Sequence, residues 1–110
     1  MSNNPHVLGL DFGTDSVRAV LVDTTDGTTR ASEVSWYRRW KEGKYCEPSK
    51  NQFRQHVADH VEGMEASIQG VVKASGIDPH LIKSICVDTT GSSPIPVNQE
   101  GIALCLTPDF

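Results

Sequence analysis

The sequence predicts an α/β domain built on a mixed sheet, and three observations carry that prediction. Two apolar runs, Val7 to Phe12 and Val17 to Asp23, are separated only by Gly13, Thr14, Asp15 and Ser16. That connection is short enough for an antiparallel hairpin and far too short for a parallel crossover. A later stretch carries Phe53, Val57, Val61, Met64, Ile68, Val71 and Val72 at three- and four-residue intervals, the spacing of one helix face. A further apolar run, Ile82 to Asp88, follows it, and a helix of this length lets that run return parallel to the first strand.

Each element has a local reason. Val17, Ala19 and Leu21 fall on one face of the second strand and Arg18, Val20 and Val22 on the other, because strand side chains alternate. Asp26-Gly27 tolerates the positive φ angles of a tight turn, so Thr28 to Tyr37 is predicted as a third strand completing an antiparallel meander. A loop from Arg38 to Lys50 leads to the helix, with Ser49 or Asn51 as its N-terminal cap and Gly76, followed by Asp78-Pro79, as its stop. Gly63 and Gly70 each lose ~1 kcal/mol of helix propensity relative to alanine, which close packing against a sheet would justify. After Asp88, Ile95 to Val97 and Ile102 to Leu106 flank "NQEG" and are predicted as a terminal hairpin. No internal repeat or low-complexity segment interrupts this order.

At 110 residues the chain is one domain at most, since soluble domains cluster near ~100–150 residues. A net charge of −4, with Arg38, Arg39 and Lys41 as the longest basic cluster, argues against a nucleic-acid-binding role. Cys46, Cys86 and Cys105 are odd in number and irregularly spaced, so reduced thiols in a cytoplasmic protein are expected, with Cys86 and Cys105 in the core. The N-terminus carries no basic region ahead of a sustained apolar stretch and no long apolar run occurs, so neither export nor membrane insertion is expected.

The two parallel strands end alike, "GLDFGT" and "CVDTTG". If they are neighbours, Asp11 and Asp88 emerge at one sheet edge, the carboxyl end where open α/β sheets place ligands. The Gly13–Ser16 turn suits a phosphate: Gly13 allows close backbone approach, successive N–H groups form an anion-binding concavity, and the hydroxyls of Thr14 and Ser16 are donors. Asp11 would act on a phosphate through Mg²⁺, which one or two carboxylates and phosphate oxygens hold. Arg18 is a further neutralising charge, and Asp15 needs a metal or a hydrogen bond of its own. The turn is not a Walker loop, since no Gly-Lys-Ser/Thr follows, and the rest of the protein-kinase signature set is absent. An ordinary hairpin turn has the same residue types.

The whole first hairpin, "LGLDFGTDSVRAVLVD", resembles the first phosphate motif of the actin, sugar kinase and heat-shock ATPase superfamily, and within it the carbohydrate kinases that include glycerol kinase and xylulokinase. "WYRRWKEGKYCEPSKNQFRQH" and "VDTTGSSPIPVNQEG" extend the resemblance over almost the whole chain and bring it closest to the ribulokinases. The resemblance implies a ribonuclease H-like, actin-like sheet, here residues 1–110 as the N-terminal part of the first, sugar- and phosphate-binding domain. The adenosine-binding domain and the general base would lie in sequence not present, leaving this piece inactive alone. It implies Asp11 as the metal-associated aspartate, Gly13, Thr14, Asp15, Ser16 and Arg18 under the phosphates of ATP, and Mg²⁺ as cofactor. Thr90, Gly91, Ser92 and Ser93 become the candidates for contacting a ketopentose. Xylulokinases carry a Gln-Met-His type of turn there, and this chain's small residues depart from it, favouring L-ribulose, phosphorylated to L-ribulose 5-phosphate in arabinose catabolism. A related kinase acting on xylulose or glycerol, and a non-catalytic binding or self-association module, are the alternatives.

Three further features are weighed on the residues alone. Trp36, Tyr37 and Trp40 suit either packing under a loop or an aromatic wall for a sugar, packing being commoner. His56 and His60, four apart on the helix, lack a third ligand for a metal. One long helix can cover only one face of the sheet, so an uncovered apolar face is expected, a surface through which the chain could form a homo-oligomer.

Overall fold

The computed structural model describes residues 3–91 and 93–108. Four strands, β1 (His6–Phe12), β2 (Ser16–Asp23), β3 (Thr29–Trp36) and β6 (Ile82–Thr89), form one sheet in the order β3-β2-β1-β6. The first three are the antiparallel meander expected, and β6 runs parallel to β1. The Asp26-Gly27 turn takes the predicted form: Gly27 has φ +74° and its N–H donates to Asp23 O at 2.8 Å.

Between β3 and the long helix the chain is more ordered than a loop. A one-turn helix, α1 (Arg38–Lys41), is followed by a small hairpin of β4 (Cys46–Glu47) and β5 (Gln52–Phe53) around a 3-10 turn at Pro48–Lys50. Helix α2 therefore begins at Val57 and ends at Ser75, later than its periodicity suggests, with Phe53 in β5. Neither Ser49 nor Asn51 is its cap: Ser49 lies inside the 3-10 turn, and Asn51 closes that turn with φ 54°. His56 caps α2 instead, its Nδ1 accepting the N–H of Ala58 at 3.0 Å. Gly76, left-handed at φ 67°, ends the helix as expected.

The buried residues of α2 are Asp59, Gly63, Ser67 and Val71: Asp59 faces α1, Val71 enters the core, and Gly63 is small enough for close approach to β2. Met64, Ile68 and Val72 pack beside them onto Leu8, Leu10, Ala19 and Leu21, whereas Val61 is exposed. A Cβ on Gly63 would stand 2.8 Å from Val17 Cγ1, and one on Gly70 2.9 Å from Glu33 Cγ. Both glycines sit at close helix–sheet contacts, Gly63 on β2 and Gly70 on β3, but only Gly63 meets a fully buried, branched side chain.

Because α2 lies over β2 and β3, β6 is left open. Ile85 and Val87 are 58% and 60% exposed although they are in register with the buried Leu8 and Leu10. Cys86 is exposed as well, and Cys105 is half-buried, so the expected core placement of these thiols does not hold. An apolar run is as consistent with an edge strand as with a central one, and here the uncovered edge decides. The predicted terminal hairpin is reduced to one bridge, Val97 to Ala103, with a 3-10 turn at Leu104–Leu106. Its turn forms, with Asn98 N–H donating to Ile102 O at 2.9 Å and Gly101 at φ +80°, but Pro94 and Pro96 have no N–H to extend a ladder.

Candidate functional site

The ends of β1 and β6 meet as the two matching motifs suggest. Asp11 stands opposite Asp88 on β6 and opposite Arg18 on β2, placing the three on one face of the sheet at its carboxyl edge. All three are exposed. Immediately beyond, Thr90 N–H donates to Phe12 O at 3.0 Å, which fixes the turn after β6 directly beside the turn that begins at Gly13. Within that second turn Thr90 Oγ1 and Ser93 Oγ are 3.3 Å apart, and Gly91 is exposed. Ser92 lies outside the described residues.

The Gly13–Ser16 turn is held by its carbonyl groups. Gln55 Nε2 donates to Thr14 O at 2.7 Å and to Gly13 O at 3.3 Å. Tyr37 N–H donates to Asp15 O, and Gly13 N–H to Ser16 O, each at 2.8 Å. The Gly13 amide is thus committed to the hairpin and is not a free donor. Among the described residues no acceptor meets the N–H of Thr14 or of Asp15, so these two are the donors open to an anion. Ser16 Oγ donates to Asp15 Oδ1 at 3.2 Å, which gives Asp15 its own hydrogen bond and leaves Thr14 with the turn's open hydroxyl. Gly13 has a steric role too, since a Cβ there would stand 3.2 Å from Ser16 O.

Beneath the turn, Tyr37 is 1% exposed, and among the described residues its hydroxyl has no hydrogen-bond partner. Burial pushes the phenol up to about 12, with the carboxylates of Asp15, Asp59 and Asp11 adding to the effect. Its ring meets His60 edge-on at 5.2 Å. Burial also lowers the His60 pKa, against the pull of Asp59, with His56 adding to the lowering. Trp36 is 63% exposed and, with Asp15, Trp40 and Lys41, lines an open depression of about 470 Å³. Of the three aromatic residues, then, Tyr37 is packing and Trp36 and Trp40 border open space.

Among the described residues no cluster of three metal-ligating side chains occurs. His56 uses both ring nitrogens on the backbone, accepting at Nδ1 from Ala58 and donating from Nε2 to Cys105 O at 3.1 Å. The Asp11–Asp88 pair at the strand ends is a donor set of the kind that holds Mg²⁺ together with a bound phosphate.

Sequence reasoning predicted the adjacency of the two aspartates and their turns but singled out neither Gln55 nor Asp59. Asp59, 2% exposed, accepts the N–H of Arg39 at 3.2 Å and of Trp40 at 3.1 Å, and the Arg39 guanidinium at 3.0 Å. It thereby anchors α1, and with it Trp40, beside the site. No signal in the sequence distinguishes it from a surface carboxylate on an amphipathic helix.

No protein-family model matches the chain. It is 42% identical over 112 residues to the ribulokinase of Vibrio parahaemolyticus, 36% over 111 residues to that of Halalkalibacterium halodurans and 33% over 110 residues to that of Geobacillus thermodenitrificans. These matches cover 99%, 96% and 96% of the chain but only 19%, 20% and 19% of the relatives. The chain thus spans about one fifth of the length of the curated relatives it matches, the N-terminal fifth. Among solved structures, a reductive activator for corrinoid, iron-sulfur protein superposes with a TM-score of 0.56 at 16% identity, over 82% of this chain and 15% of that one, a likeness of fold alone.

The class these relatives define is the carbohydrate kinases. Within that class the chain belongs with the ribulokinases, as the counterpart of their N-terminal fifth.

Proposed function

We propose that the chain is the phosphate- and sugar-facing N-terminal part of an ATP-dependent L-ribulokinase, a cytoplasmic enzyme of arabinose catabolism with an actin-like sheet. Similarity to ribulokinases over nearly the whole chain carries this reading, and the adjacency of the two turns through Thr90 and Phe12 supports it. Asp11 with Asp88 would hold Mg²⁺, which neutralises charge on the transferring phosphate. The Thr14 and Asp15 amides, the Thr14 hydroxyl and Arg18 would face the phosphates of ATP, with Gly13 and Ser16 shaping the turn. Thr90, Gly91, Ser92 and Ser93 would line the sugar side, where backbone and hydroxyl groups suit sugar hydroxyls.

The reaction is in-line displacement. The primary hydroxyl oxygen of L-ribulose bonds to the γ-phosphorus of ATP, the bond to the β–γ bridging oxygen breaks, ADP leaves, and the hydroxyl proton passes to a base. Asp88 is not assigned as that base, because it sits in the strand-end pair with Asp11. We place the base, and the adenosine-binding domain, in the four fifths of a ribulokinase that this chain does not span, so the 110 residues alone should not turn over substrate.

The test is ADP release by the product of the gene encoding this chain, with L-ribulose, D-xylulose and glycerol offered in turn. Highest kcat/KM with L-ribulose is expected. A preference for xylulose or glycerol would retain the kinase and replace the sugar, and silence with all of them would leave a binding module. A second reading, self-association through the open β6 edge, is favoured by the exposure of Ile85 and Val87. A concentration-independent monomer mass by light scattering would exclude it.

A further inference from the structure

We infer that Gln55 is a positioning residue for nucleotide binding: its side-chain amide sets which way the two peptide planes of the Gly13–Ser16 turn face. The inference rests on the phosphate reading of that turn and adds a residue to it from outside the hairpin.

The geometry turns on the trans peptide, in which C=O and N–H point in opposite directions. The Gly13 carbonyl shares a plane with the Thr14 N–H, and the Thr14 carbonyl shares one with the Asp15 N–H. Gln55 Nε2 takes both of those carbonyls, at 3.3 and 2.7 Å. It therefore turns away from itself the same two N–H groups that no acceptor in the described chain meets. If either plane flipped, a carbonyl oxygen would replace an N–H at the surface offered to the phosphate, substituting repulsion for attraction.

The glutamine amide suits this position, and an isosteric carboxylate does not. Two carbonyl acceptors require two donors on one atom, which the –NH₂ of glutamine supplies and a carboxylate of the same shape does not. The brace is itself anchored on both sides. Arg54 N–H donates to Tyr45 O at 3.1 Å, and the His56 ring lies 5.1 Å from Tyr45 while holding Ala58 and Cys105. Gln55 thus ties the first hairpin to the entry of α2 across 42 and 41 residues of sequence.

Gln55→Ala and Gln55→Glu in the kinase encoded by the gene for this chain test the assignment. Losing hydrogen bonds of ordinary strength should raise the KM for ATP about threefold to tenfold in Gln55→Ala and more in Gln55→Glu, with the KM for L-ribulose unchanged. Deuterium uptake by a peptide spanning residues 10–17 should quicken in both. An unchanged KM for ATP in Gln55→Glu, or equal rises for ATP and sugar accompanied by a lower melting temperature, would overturn it. Asp11→Asn, measured alongside, separates the two failures. If Asp11→Asn impairs ATP use and the Gln55 variants do not, the role of Gln55 is wrong; if neither does, the phosphate reading has failed first.

Discussion

The Asp59 carboxylate reaches from α2 to accept the N–H of Trp40 on α1, at 3.1 Å, from a position 2% exposed to solvent. The same carboxylate takes the N–H and guanidinium of Arg39, which in turn bonds Glu62 at 2.6 Å. A four-residue helix cannot hold itself in water, since helix nucleation is unfavourable, so α1 depends on this anchor. Asp59→Ala should lower stability by about 2–4 kcal/mol, because two backbone donors lose their acceptor and the Arg39 guanidinium is left to Glu62. Asp59→Asn, which keeps an acceptor, should lose about half as much. Urea midpoints check both, and a fluorescence change from Trp40 should accompany the first.

The two helix glycines make a sharper comparison. At Gly63 an added methyl would stand 2.8 Å from Cγ1 of Val17, a fully buried side chain, and a β-branched residue has little freedom to turn aside. At Gly70 the atom met is Cγ of Glu33, at 2.9 Å, part of a flexible side chain only partly buried. Gly63→Ala should therefore destabilise by about 1–3 kcal/mol despite better helix propensity. Gly70→Ala should fall within ~0.5 kcal/mol of the parent, overpacking and propensity offsetting each other. Equal effects at the two sites in thermal unfolding would contradict the packing described.

Much of this architecture is legible in the residues and some is not, for identifiable reasons. The meander, the return strand and the Asp11–Asp88 adjacency follow from short apolar runs, an Asp-Gly turn and a helix long enough to make a parallel crossover. The start of α2 does not, because His56 caps it with a ring nitrogen while the favoured Ser49 and Asn51 serve the preceding 3-10 turn. The exposure of Cys86 and Ile85 depends on where α2 lies across the sheet, a tertiary fact that periodicity does not contain. Gln55 and Asp59 act on residues roughly twenty or forty positions away, so nothing in their local sequence marks them. Pro94 and Pro96, with no N–H to give, keep the terminal hairpin to a single bridge.

The unpartnered hydroxyl of Tyr37 leads to an unusual expectation for a core substitution. Tyr37→Phe removes a buried polar group that has no partner among the described residues and keeps the ring against His60, so it should leave stability unchanged or raise it by up to ~1 kcal/mol. Tyr37→Ala should lose about 3–5 kcal/mol through the cavity. The folded-state pKa is raised to about 12 from 10.0. Stability that is complete below pH 10 is therefore lost as the unfolded chain ionises first, between those values. Tyr37→Phe should flatten this alkaline decline in midpoint stability, and an identical decline in both proteins would assign it elsewhere.

Asp23 governs the opposite end of the pH scale. Its carboxylate accepts the Thr25 hydroxyl at 2.6 Å, the Thr25 N–H at 2.9 Å and the Asn4 amide at 3.2 Å. The Thr25 hydroxyl and N–H chiefly hold its pKa down to about 2 from 3.8, with Asn4 and the neighbouring His6 adding to them against the effect of burial. For an acid whose pKa is depressed on folding, the stabilisation is complete above the unfolded value and disappears as pH falls through the folded one. The loss contributed by Asp23 should accordingly lie between about pH 4 and pH 2. Thr25→Val keeps the side-chain shape and removes the largest single cause, so its folded pKa should rise toward 3.8 and the acid decline should shrink and move to higher pH. Urea midpoints taken from pH 5 to pH 2 would show this as converging curves for parent and variant at the acid end, and curves that stay parallel would mean that Asp23 is not the group responsible.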